Sequence, residues 1–214
     1  MHPLQRMRDQ GLARHTGRMR FIETHCALCL AETRQRALCP FCQRLCREEL
    51  AETPAWESPQ PWPFWALGTF DGPLKALTLQ LKHSRDTALG EWAGQAMARA
   101  VQTRARPDAI TWVPGQWWNR WRRAGDPTAH IAIGLGRALN LPVQGLLHPK
   151  LAWHGKHRSK AQRRPGRFHA STKGCRRVWL VDDVLVTGNT LNGALEALQS
   201  KGLLVEEILV LAKG

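Results

Sequence analysis

The chain has 214 residues, 43% of them apolar, and sets 31 Lys and Arg against 17 Asp and Glu, a formal net charge of +14. That length accommodates one domain with a second, small one, and the apolar content excludes wholesale disorder. No run approaches the roughly 20 apolar residues of a spanning helix, and Met1 to Arg20 is polar and Arg-rich without the apolar stretch of a secretory signal. The expectation is a soluble cytoplasmic protein with polyanionic partners. Residues 1–21 are expected to form a mobile extension, with Met19 an alternative start.

Residues 22–50 read as a four-Cys module. Cys26-Ala-Leu-Cys29 and Cys39-Pro-Phe-Cys42 lie nine residues apart. Each Cys-x-x-Cys places two sulfurs on one tight knuckle, and two knuckles joined by a short hairpin supply four thiolates to a tetrahedral Zn²⁺. With all four positions closed by protein the metal is structural. Zinc contributes about 10–16 kcal/mol to such modules, which a small knuckle cannot draw from its own core. A disulfide framework is disfavoured without an export signal. Cys46 is either a substitute ligand or a buried apolar residue, and Cys175 reads as an ordinary free thiol.

Residues 51–65 form a linker. Pro54, Pro59, Pro61 and Pro63 stand among Glu, Ser and Gln, a density that resists helix and strand.

Residues 66–214 alternate helix and strand. Leu74, Leu77 and Leu81 predict one helix, and a second is expected over 87–101. Ala109 to Val113 is a short buried strand ending at Pro114-Gly115. Asp126-Pro127 opens a helix to about Asn140, with Ile131, Leu135 and Leu139 inward. Gly134-Leu-Gly136 within it is no dinucleotide loop, because the third glycine and the preceding strand are missing. Leu141-Pro-Val143 opens a further strand. Lys150 to Arg177 carries ten basic residues and no acidic one, and reads as a loop, either merely solvated or phosphate-binding. Val178 to Val181 is a buried strand. Thr190 to Lys201 is a helix with Leu191, Leu195 and Leu198 inward and Gly202 as its stop. Val205 to Leu211 is the last strand. This alternation predicts an α/β fold, a parallel sheet with crossover helices.

The sharpest motif runs from Val178 to Thr190. An apolar strand ends in Asp182 and Asp183; a short loop with Thr187 and Gly188 follows, and a helix begins. Free N–H groups at a helix start, backed by the helix dipole, attract an anion. Gly188 permits the tight turn. The carboxylates would repel a phosphate but suit the hydroxyls of an adjoining sugar or a Mg²⁺ ion. A phosphorylated ribose satisfies both halves.

This segment resembles the phosphoribosyl-diphosphate (PRPP) signature of type I phosphoribosyltransferases. With the Cys knuckles, Phe70-Asp71-Gly72-Pro73-Leu74 and Leu81-Lys82, the chain from about residue 22 onward resembles the ComF family of competence proteins. The resemblance implies a zinc-binding module joined to a Rossmann-like phosphoribosyltransferase domain. It further implies a role in DNA uptake during natural transformation, beside a competence helicase. It places phosphoribosyl contacts at Asp182, Asp183, Val186, Thr187, Gly188, Asn189 and Thr190, and a diphosphate-side loop at Val113, Pro114, Gly115 and Gln116. Arg123-Ala-Gly-Asp-Pro127 departs from the family's Arg-Gly-Phe-Asn-Gln run.

Trp117, Trp118 and Trp121 interleave with Arg120, Arg122 and Arg123. Aromatic faces for stacking bases and cations for the backbone are how single strands are held without sequence preference; core or partner packing is the alternative. Lys156, Arg158, Lys160, Arg163, Arg164 and Arg167 extend the candidate nucleic-acid surface. No general acid or base is evident beyond His154 and His157. Three functions are open: a single-stranded-DNA-handling competence factor, a Mg²⁺-dependent phosphoribosyltransferase, and a PRPP-sensing adaptor for a helicase.

Overall fold

The structure is a computed structural model that describes residues 24–35, 37–52, 62–83, 87–101, 105–115, 125–150 and 168–214. In chain order its elements begin with β1 (Thr24–His25), β2 (Glu32–Thr33), α1 (Pro40–Glu52), β3 (Trp65–Ala66), α2 (Gly72–His83) and α3 (Thr87–Val101). They continue with β4 (Ala109–Trp112), α4 (Pro127–Leu139), β5 (Leu147–Pro149), β6 (Phe168–Ala170), β7 (Arg177–Leu185), α5 (Asn189–Gln199) and β8 (Leu204–Lys213).

The main sheet has the order β3-β8-β7-β4 and is parallel throughout. Val143 extends it by a single parallel bridge to Ile110, held by Ile110 N–H to Pro142 O and Gln144 N–H to Ile110 O. The strand expected at Leu141 to Val143 is reduced to that bridge. Strand β3 was not legible, because its two residues sit at the end of the proline-rich stretch.

Side-chain alternation along β7 feeds two cores. Trp179 and Val181 join Ile110, Leu209 and Leu211 against α2, α3 and α4, while Val178 and Leu180 join Ile208, Val210 and Leu191 on the α5 side. Both faces are covered, so β7 reads as a continuous apolar run rather than an alternating one. Cys26, Leu38, Cys39, Cys42 and Cys46 belong to the first of these cores, together with Leu74 and Leu77 of α2.

Helices α3 and α4 touch backbone to backbone. A Cβ added at Gly94 would lie 2.0 Å from the Ile131 carbonyl oxygen, and one at Gly134 would lie 2.1 Å from that of Glu91. The Gly-Leu-Gly run in α4 is therefore a packing device. Arg137 pairs with Glu91 across the same contact. Helix α4 begins as expected: Asp126 caps it, accepting from Thr128 N–H at 3.2 Å, with Pro127 at the first position. It ends on Asn140 in the left-handed region, φ 54°.

The basic stretch is not all loop. Its residues 168–170 form β6, paired antiparallel with β5, Leu147 opposite Ala170 and Pro149 opposite Phe168. Leu147, Phe168 and Ala170 are buried, which is why charge alone misled here. Among the described residues, no helix is long and apolar enough to cross a membrane.

Candidate functional site

Strands β4 and β7 are neighbours, but the chain leaves them in opposite directions: β4 leads outward to Val143, and β7 leads through α5 to β8. That reversal opens a crevice at the carboxyl ends of the two strands, the usual ligand position in open parallel sheets.

The acidic pair stands at this point. The structure corrects one expectation, because β7 does not end at Asp182 but continues to Leu185. The ladder with β4 stops at Val181, whereas that with β8 runs on to Leu185 opposite Lys213. Asp182 and Asp183 are therefore anchored on one side and freed on the other. Asp182 is only 8% exposed. Its Oδ1 accepts from Asp183 N–H at 2.8 Å, and Asp183 Oδ1 accepts from Val184 N–H at 2.7 Å. Burial raises the Asp182 carboxyl well above the ordinary range, and the neighbouring Asp183 charge adds to this, against the pull of Lys82.

Lys82, in the last turn of α2, places Nζ 3.3 Å from Asp183 Oδ2. Its part at this site was not read from the sequence. Leu81-Lys82 was visible as a dipeptide, but only packing of α2 beside β8 brings the ammonium to β7.

Beyond Leu185 the chain turns into α5. Val186 is 65% exposed, Thr187 and Asn189 are exposed, and Thr190 is half-buried. Gly188 is the N-cap in the left-handed region, φ 72° and ψ −8°, and no side chain caps the helix. A glycine here relieves the strain a Cβ would meet. The uncapped first turn directs amide N–H groups at whatever anion sits before it. Trp62 Nε1–H donates to Asn192 Oδ1 at 2.6 Å, tying this turn to the chain before β3.

The facing loop follows β4. Val113 N–H donates to Val181 O at 2.9 Å. Val113 and Pro114 are buried, and Gly115 is exposed. Gly115 N–H donates to Asp126 Oδ2 at 2.8 Å, so the residue that caps α4 also holds this loop. The cap was legible in the sequence; its second bond was not, because it joins residues 11 positions apart, across a segment that lies outside the described residues. Gln116, Trp117, Trp118, Arg120, Trp121, Arg122 and Arg123 all lie there. So do His154, Lys156, His157, Arg158, Lys160, Arg163, Arg164 and Arg167.

The second candidate site is the cysteine cluster. The sulfurs of Cys26, Cys29, Cys39 and Cys42 lie within 4.8 Å of one another, and Cys29 Sγ to Cys39 Sγ is 3.7 Å. Zn–S bonds of about 2.3 Å give a tetrahedron whose edge is about 3.8 Å, so the four fit that ion. Strands β1 and β2 pair antiparallel around the first knuckle, and α1 opens between Cys39 and Cys42. The thiols do not ionise alike. Burial raises Cys26, but backbone N–H donors of Cys29, Cys39 and Leu28 outweigh it and bring that thiol down to about 6. Burial and the other three sulfurs push Cys42 strongly up. Four thiolates cannot share this space without a cation. Cys46 is fully buried one turn beyond Cys42 and stands outside the four-sulfur group; of the two readings open to it, it takes the buried one. Cys175 is buried too, and burial raises its thiol.

An α/β fold on a parallel sheet, preceded by a four-Cys module, is thus the observed class. No family model matches the chain, and no curated protein does. Solved structures do. An allosteric regulatory enzyme of purine biosynthesis is 22% identical over 57% of this chain, at a TM-score of 0.39, and the chain spans 25% of its length. The orotate phosphoribosyltransferase of Aeropyrum pernix is 22% identical over 63% of this chain and 64% of its own, at 0.41. A phosphoribosyltransferase of Corynebacterium diphtheriae is 18% identical over 81% of this chain and 83% of its own, at 0.42.

Proposed function

We propose that the chain binds a phosphorylated ribose, PRPP or a close relative, in the crevice between the ends of β4 and β7. One observation carries this reading: hydroxyl acceptors and an anion-binding turn occur within one connection, Asp182 and Asp183 at one end and the uncapped α5 start at Gly188 at the other. Asp182 and Asp183 take the ribose hydroxyls. Thr187 to Thr190 cradle the 5′-phosphate, with Val186 beside them, and Val113 to Gln116 face the diphosphate. When bound with PRPP, Mg²⁺ would offset the diphosphate charge.

Around that site the ComF resemblance supports a cytoplasmic competence protein. It would assist uptake and processing of single-stranded DNA in natural transformation, beside a competence helicase. The ten basic residues of Lys150 to Arg177, with no acidic one among them, support a polyanionic partner larger than a sugar phosphate. The Trp and Arg residues named above would hold the strand, and structural zinc would hold the cysteine module. Retention of Asp182 and Asp183 favours a second reading, a Mg²⁺-dependent phosphoribosyltransferase, because plain DNA binding would gain from their loss.

Fluorescence anisotropy of a labelled single-stranded oligonucleotide, from 50 to 200 mM salt with and without PRPP, tests the proposal. Neutralising about six phosphates would lower affinity roughly 300-fold across that range. Steep binding that PRPP competes away supports both halves. PRPP binding without DNA binding at 50 mM salt leaves the enzyme or adaptor reading.

A further inference from the structure

Two adjacent carboxylates on a strand, where its pairing on one side has stopped, need a positive charge nearby. Here the fold supplies one from another element. Helix α2 is seated by its buried stripe Leu74, Leu77, Thr78 and Leu81, and its start is tied to the sheet by Phe70 N–H to Lys213 O at 2.6 Å. Lys82 follows Leu81 directly, so its position is set by a buried residue of that stripe. Its ammonium lies 3.3 Å from Asp183 Oδ2, at 34% and 19% side-chain exposure, and its field also reaches Asp182. Mg²⁺ demands octahedral oxygen ligands and keeps several waters. An ammonium already on the pair competes for the same lone pairs and repels a divalent ion.

We infer that Lys82 is the resident counter-ion of the acidic pair, so that the crevice takes its sugar phosphate without a divalent cation bridging to Asp182 or Asp183. This rests on the phosphoribosyl reading above. Lys82 acts through the carboxylates and is thus a positioning residue. It balances the charge of Asp183 while both carboxylates keep lone pairs for the ribose hydroxyls.

The test is calorimetric titration of the full chain with ribose 5-phosphate, which has no diphosphate for magnesium to bind, in magnesium-saturated and in resin-treated, magnesium-free buffer. A chelator is avoided because it would also strip thiolate-bound metal. The wild type and Lys82→Arg are expected to bind within about threefold in the two buffers. Lys82→Met is expected to bind about tenfold or more weakly without magnesium and to recover when it is added, since a charge-assisted contact has been lost. Lys82→Gln repeats the measurement should the Met variant fail to fold. A wild type that loses about tenfold or more without magnesium overturns the inference, as does a Lys82→Met variant that matches it there. A wild type that binds ribose 5-phosphate in neither buffer overturns the phosphoribosyl reading itself, and this inference with it.

Discussion

Asp126 and Gly115 are joined by a 2.8 Å hydrogen bond from the Gly115 amide to Asp126 Oδ2, while the other oxygen of the same carboxylate caps α4 through Thr128 N–H. One side chain, 8% exposed, thus fixes both the helix and the loop that faces the acidic pair. Asp126→Ala removes both bonds. Loss of the cap costs about 0.5–2 kcal/mol, read as a lower urea midpoint. With the ligand placed as proposed above, loss of the loop contact weakens PRPP but leaves ribose 5-phosphate unchanged, because only the diphosphate would reach Gly115. Equal weakening of both ligands would assign Asp126 a purely structural part.

Burial makes Asp182 a stability cost. Its carboxyl is raised in the folded state, so the native protein holds its proton at a pH where the unfolded chain has released it. No cost exists below the unfolded value; stability falls as pH rises from there through the folded value. Asp182→Asn removes that dependence, and the protein melts higher at pH 7 with a flatter profile. The same change weakens PRPP on the order of ten- to a hundredfold, the worth of a hydrogen bond to a charged group. Unchanged affinity by calorimetry would discard the site assignment.

The α3–α4 contact has no room for a methyl group. Gly94→Ala puts a Cβ against the Ile131 backbone, which cannot swing aside as a side chain would. The expected cost is about 1–3 kcal/mol or more, seen as a lower denaturation midpoint. Metal content should not move, because Gly94 is no part of the four-sulfur group.

Elemental analysis should find one zinc per chain. Cys26→Ser with Cys39→Ser should abolish it and precipitate the protein, since both residues also belong to the main core. A soluble double variant that keeps its zinc would refute the metal site. Chelation of the wild type should lower its melting temperature, because the metal's binding energy is folding energy.

Local chemistry explains what the sequence determined by itself. Cys-x-x-Cys spacing, the Asp126-Pro127 cap, the apolar runs of β4, β7 and β8, and the turn at Gly188 each depend on a few consecutive residues. Their meaning survives without neighbours. Tertiary structure decided what depends on residues far apart in the chain. Sheet order freed Asp182 and Asp183 on the β4 side while β8 held them on the other. Helix α2 brought Lys82 to Asp183 across a separation of about a hundred positions, and Asp126 reached back to Gly115. The sequence by itself excludes the glycines of α4 as a dinucleotide loop; what they do instead, Gly134 against α3 and Gly136 against Leu141 and Val143, came only from packing. Strands β3 and β6, two and three residues long, exist only because a partner strand pairs with them. Periodicity needs a longer run than that to register, and a hydrogen bond between distant strands leaves no mark on either sequence alone.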